Sequence, residues 1–349
     1  MSEHNPYSTE LAAVARAMVA PGKGILAADE STGTIEKRFK SIDVENTEEN
    51  RRAYRDMLFS TKGIGDHISG VILYDETLRQ KSANGTLFSE MLTKLGVLPG
   101  IKVDAGAKDM VLCPGEQVTE GLDGLVKRCT EYVKLGAKFA KWRAVINIGA
   151  GIPSSACLTA NAHALARYAA ICQATGLVPI VEPEVIMDGD HTIERCEEVT
   201  ERALHETFAA LVSQRVRFEE MVLKPSMVVA GTKAARQASV DEVALRTVAV
   251  LKRTVPAAVP GIAFLSGGQS DELATAHLDA MNRLAGKVGG LPWALTFSYG
   301  RALQQPSLKA WRGQAGNVAA AQAALAHRSR MNGLAATGKY QADLEKKAA

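Results

Sequence analysis

A chain of 349 residues, 46% hydrophobic and 23% charged, has the material for one large α/β barrel or for two ordinary domains. Its net charge of +3 is too mild for a nucleic-acid surface and fits a local cationic site for an anionic small molecule. Five scattered cysteines without CxxC spacing, a polar Met1–Glu10 and the lack of any ~20-residue apolar run point away from disulfides, secretion and membrane spans, and toward a cytoplasmic protein.

Thr9–Val19 spaces Leu11, Val14, Ala15 and Met18 as one helical face, expected to cover one end of the core, and Pro21-Gly22 ends it. The short apolar segment Ile25–Ala28 then delivers Asp29, Glu30, Ser31 and Thr32 to its C-terminal end. Glu48–Ser60 reads as a charged helix. Ile68–Glu76 reads as a strand ending in Asp75-Glu76, and Leu98–Gly106 as another, carrying Lys102 and Asp104. An amphipathic helix over Leu122–Leu135 precedes the strand Phe139–Ile146, which bears Lys141 and Arg143. Thr159–Gly176 is predicted helical, and Leu177–Val185 is a strand with Glu182 and Glu184.

A helix over Thr192–Gln214 leads into Glu219–Val229, an apolar strand with Lys224 in its middle and Pro225 directly after it. Asp241–Thr254 and Asp271–Leu284 read as helices. Between them Ile262–Gly268 is a strand ending in Ser266, Gly267 and Gly268, and Trp293–Gly300 is a last strand ending in Ser298, Tyr299 and Gly300 before Arg301. Ala302–Met331 reads as one alanine-rich helix, followed by a polar tail from about residue 332. Eight apolar segments separated by helical ones predict parallel βαβ units that close into a (β/α)8 TIM barrel, a single domain over 1–349.

Lysine is costly to desolvate as a cation, so a strand of the composition around Lys224 favours the uncharged amine that an imine-forming nucleophile needs. Glu182 and Glu184, two apart on one strand, share a face, as do Lys141 and Arg143 on the neighbouring one. Such carboxylates serve either as acid/base groups or as partners of those two cations. Glycines in Ser266–Gly268 and Ser298–Arg301 let phosphate oxygens approach backbone N–H groups, and the loops after strands seven and eight are a common phosphate site in such barrels. Ser31, Thr34, Lys37 and Arg38 could hold a second phosphate or merely cap and solvate a helix. The seven histidines show no metal-ligand spacing, and neither GxGxxG nor a Walker loop occurs, so no metal or cofactor is expected.

The blocks GKGILAADESTGT, NTEENRR, GVILYDETL, GIKVDAG, FAKWR, VPIVEPEV, LKPSMV, FLSGGQS and WALTFSYGRALQ appear in order from about Pro21 to Gln304. Together they closely resemble class I fructose-bisphosphate aldolase, the metal-independent Schiff-base type. The resemblance implies a (β/α)8 barrel, a homotetramer, and retro-aldol cleavage of fructose 1,6-bisphosphate. It implies Lys224 as the imine lysine, Glu182 as the acid/base for carbinolamine dehydration, and Asp29 as acceptor of the C4 hydroxyl proton. Lys141 would hold charge at the reacting centre, with Arg143, Lys102 and Glu184 as polar neighbours. Ser266, Gly267, Gly268, Ser298, Gly300 and Arg301 would grip the C1 phosphate, and Ser31, Thr34 and Arg38 would lie toward the C6 phosphate. Two rivals stay open at this stage, a sedoheptulose 1,7-bisphosphate aldolase and a non-catalytic scaffold of the same fold. The chain departs from the family's pattern at Ala105, Asp75 and Asn147, and it ends in EKKAA where animal members end in tyrosine; its last tyrosine is Tyr340.

Overall fold

Residues 5–287 and 289–348 are described by the structure, a computed structural model; Met1–His4 of the polar start and Ala349 of the terminal EKKAA lie outside them. The strands β1 Gly24–Ala28, β2 Ile68–Leu73, β3 Leu98–Lys102, β4 Phe139–Ile146, β5 Val178–Val185, β6 Val222–Leu223, β7 Gly261–Phe264 and β8 Ala294–Tyr299 pair in parallel, in sequence order. The ring closes with β8 on β1, where Ile25 lies opposite Ser298. This is the expected (β/α)8 barrel, with helices between successive strands.

Successive side chains on a strand point to opposite faces, so one periodicity fixes both layers of the core. Leu26, Trp142, Val181, Leu223, Ile262 and Phe264 turn outward, into the apolar layer shared with the surrounding helices. Ile25 and Ala27 on β1, Phe139 on β4, Val178 and Ile180 on β5, Val222 on β6 and Ala263 on β7 turn inward. The helix Ser8–Met18 closes that interior from below with Leu11, Ala15 and Met18, as its spacing predicts. Room for the Phe139 ring comes from Gly100 on β3, where any Cβ would collide with it. Continuing up the same inward face by steps of two, β1 leads to Asp29, β4 to Lys141 and Arg143, β5 to Glu182 and Glu184, and β6 to Lys224.

Two sequence expectations are corrected. β2 stops at Leu73, and Asp75-Glu76 open the short helix Asp75–Arg79; their carboxylates pair with Arg79 and Arg51 instead of facing the barrel mouth. The alanine-rich C-terminal stretch is two helices, Arg301–Trp311 and Val318–Ala335, because Arg312 (φ 50°) and Gly313 (φ 71°) turn the chain left-handed between them. The tail is not free, since Glu345 accepts hydrogen bonds from His327, Arg328 and Tyr340 on the outside of the barrel. The helix Thr32–Lys40 begins where Ser31 reads as a candidate helix cap, while sequence reading passed over the helix Phe88–Lys94 and the hairpin pairing 107–109 with 117–119.

Candidate active site

The short ladder of β6 decides how Lys224 is presented. Its backbone N–H still donates to Val181 O at 2.8 Å, but Pro225 has no N–H to extend the pairing with β5, and regular strand structure ends at Leu223. The side chain is buried, and the apolar surroundings expected of it are absent at its tip. Lys224 Nζ lies 3.1 Å from Glu182 Oε1. Glu182 Oε2 in turn lies 3.3 Å from Lys141 Nζ, which donates to Asp29 Oδ2 at 2.8 Å. Lys224, Glu182, Lys141 and Asp29 thus form one alternating chain of charge across β6, β5, β4 and β1. The two glutamates do not share a partner: Glu184 pairs with Arg143 on β4.

These contacts set the ionisation of the cluster. Burial works to raise the Asp29 carboxyl, but Lys141, Lys224 and Lys102 outweigh it and hold Asp29 well below the usual carboxylate range. Burial likewise disfavours the Lys141 ammonium, yet Asp29, Glu182 and Asp104 raise it above an ordinary lysine. Arg143 is raised in the same way, by Glu184 against the cost of burial. At neutral pH the Asp29–Lys141 pair is therefore a fixed ion pair.

A cavity of about 660 Å³ opens over this cluster at the C-terminal end of the barrel. Of the sixteen residues singled out from sequence, fifteen line it. Gly268 does not; its N–H is directed to Met187 Sδ at 2.7 Å. Gly267 (φ +55°) makes the turn that brings its carbonyl to Arg301, whose Nη2 donates to it at 2.6 Å. Ser298 is buried beside this turn, and beyond β1, the strand next to β8, Ser31 Oγ lies 3.1 Å from Thr34 Oγ1. The lining carries seven basic side chains against five carboxylates. Five of the basic groups are paired with those carboxylates, including Lys102 with Asp104 at 3.3 Å and Arg38 with Glu30 at 2.9 Å. Lys37 and Arg301 have no carboxylate within ion-pair distance among the described residues, so the lining carries uncompensated positive charge.

Two residues of this region escaped sequence reasoning. Glu30 was noted only as a strand-end residue, and Gln304 passed as an ordinary helical position, yet Gln304 Nε2 donates to Glu30 Oε1 at 2.8 Å beneath the cavity floor. The signal was a buried-side glutamine in the first turn of the helix after β8. Tyr340 is not at the cavity: its hydroxyl donates to Glu345 and its N–H to Asp279 Oδ1. Asn147 donates to Gly115 O at 2.8 Å. Among the described residues no three His, Cys, Asp or Glu side chains converge as a metal-binding group, and no helix is long and apolar enough to cross a membrane.

Known proteins match this arrangement over nearly the whole chain. The family model described as fructose-bisphosphate aldolase class-I matches residues 10–349. A protein named probable fructose-bisphosphate aldolase class 1, from Xanthomonas campestris pv. campestris, is 60% identical over 333 residues, covering 95% of this chain and 98% of that one. Fructose-bisphosphate aldolase 4, cytosolic, from Arabidopsis thaliana is 54% identical, covering 98% of this chain and 87% of its own length. The solved structure of Plasmodium falciparum fructose-bisphosphate aldolase, in complex with TRAP and a small-molecule inhibitor, superposes with a TM-score of 0.94 at 50% identity and 96% coverage of both chains. By barrel, by site and by these matches, the chain belongs to the class-I fructose-bisphosphate aldolase family.

Proposed function

We propose that the cleavage of fructose 1,6-bisphosphate by this chain, into glycerone phosphate and glyceraldehyde 3-phosphate, runs through an imine on Lys224. The Lys224 amine adds to the C2 ketone, forming the C–N bond and a carbinolamine. Glu182, 3.1 Å from that nitrogen, gives a proton to the departing hydroxyl, and water leaves as the iminium forms. The C3–C4 bond then breaks, its electrons flowing into the iminium to leave an enamine, while Asp29 takes the C4 hydroxyl proton and C4 becomes the aldehyde. A proton returns to C3, and water hydrolyses the iminium to release glycerone phosphate and the free amine. Asp29 is a weak base, held ionised by Lys141, so the driving force for cleavage comes from the electron-poor C=N bond.

Ser266, Gly267, Ser298, Gly300 and Arg301 are assigned to one phosphate, and Ser31, Thr34 and Arg38 to the other. Lys102, Arg143 and Glu184 serve as the polar frame of the reacting centre. The observation that carries this reading is the Lys224–Glu182 contact inside a cavity that also holds Asp29. Borohydride reduction with substrate present is expected to leave a mass adduct on the peptide containing Lys224, absent in Lys224→Met. Unlabelled Lys224 during continued turnover would remove the imine. We further assign the chain to the cytoplasm, as a homotetramer of one-domain subunits. The cytosolic relative and the five free cysteines support that compartment. Cell fractionation and the mass in solution test these two assignments.

A further inference from the structure

Arg38, assigned above to the second phosphate, is tied to the buried carboxylate of Glu30. Its Nη1 lies 2.9 Å from Glu30 Oε1, and the side chain also lines the cavity. Glu30 is held in turn from three directions. Gln304 Nε2 donates to it at 2.8 Å and to Ala27 O at 2.6 Å, and Tyr54 donates to Gln304 Oε1 at 3.0 Å, which fixes the orientation of the amide. The buried Arg55 donates to the Glu30 carbonyl at 2.9 Å and stands 3.9 Å from its carboxylate.

We propose that Glu30 is a positioning residue for substrate selectivity: by anchoring Arg38 it makes the site favour a ketose with two phosphates over one with a single phosphate. This rests on the reading of Arg38 as a phosphate ligand given above. An arginine already fixed in one rotamer has surrendered the freedom that binding would otherwise cost. The same carboxylate separates two like charges, since without it Arg55 would drive Arg38 away from the wall and out toward solvent. Glu30 does not touch the reacting carbons, so its loss acts on affinity for the second phosphate and not on the chemistry at C2.

The test compares fructose 1,6-bisphosphate with fructose 1-phosphate, which keeps the ketone and the C1 phosphate and lacks the other. Glu30→Gln is expected to raise KM for the bisphosphate about tenfold, the worth of a charge-assisted hydrogen bond, and to leave kcat and the monophosphate KM within about twofold. Glu30→Asp keeps the buried charge beside Arg55 while shortening the reach to Arg38, and gives a smaller shift of the same sign should the glutamine variant fold poorly. In an Arg38→Ala background either substitution adds nothing to the bisphosphate KM. Equal loss on both substrates, an unchanged ratio, a tighter bisphosphate KM, or an undiminished effect without Arg38 overturns the proposal. Borohydride labelling of Lys224 in the unaltered enzyme keeps the two readings apart: if labelling holds and the ratio does not move, only the role of Glu30 falls.

Discussion

The lower and upper halves of the barrel interior are built by the same strands, on the same inward face, and are chemically opposite. Below, Ile25, Phe139, Val178, Ile180 and Val222 pack against Leu11, Ala15 and Met18 into a dry plug. Above, two to four residues further along those strands, stand Asp29, Lys141, Glu182 and Lys224, linked in one chain of contacts. The plug is one of the two apolar clusters that hold the barrel together. The charged layer inherits its geometry from that packing, and its groups are positioned before any substrate arrives.

Substitutions in the two halves should therefore fail differently. Lys224→Met is expected to lower kcat by more than about 10⁴-fold through loss of the covalent route, with little change in the urea midpoint. Phe139→Ala, at a fully buried position, is expected to cost about 3–5 kcal/mol in equilibrium unfolding while the folded fraction keeps its kcat. A low kcat in fully folded Phe139→Ala would mean that the plug shapes the chemistry directly. Glu182→Gln is expected to slow imine formation about 10²-fold, read as the rate of borohydride-trapped adduct in a single turnover; near-normal trapping would take Glu182 out of that step.

The smallest effect concerns acid. The Asp29 carboxyl is depressed in the folded protein, so its stabilisation is fully present above the unfolded carboxylate pKa near 4 and is lost as pH falls toward the folded value. The stability difference between the wild type and Asp29→Asn should be constant from about pH 5 to 7 and shrink below about pH 4. Urea unfolding at each pH reads it. A difference that grows in acid would reverse the sign of the pair's contribution.

Much of this contrast was legible in the chain. Alternating apolar runs gave eight strands and their order, and the sixteen site residues read from sequence include fifteen of the twenty-five that line the cavity. Lys224 shows where such reading stops. Its flanking residues are apolar, but they face outward or lie below it, and the partner at its tip comes from β5, forty-two positions away in a register that only the closed sheet defines. Glu30 and Gln304 were missed for the same reason, since they meet across the β1–β8 seam, the longest-range pairing in the barrel. Asp75-Glu76 misled because a charged strand end and a charged helix start look alike in sequence. The Arg312-Gly313 break was signalled by its glycine, and the alanine-rich stretch on either side hid it.

The helix Ser8–Met18 has a bearing on how the molecule is made. Its apolar face closes a floor that includes Ala263, and Val19 fits against Gly261, where a Cβ would come within 2.7 Å. Synthesised before every strand of the barrel, this helix must therefore wait for β7 before its contacts are complete. Until then the nascent chain carries an amphipathic helix with no finished counterpart, and its apolar face stays exposed.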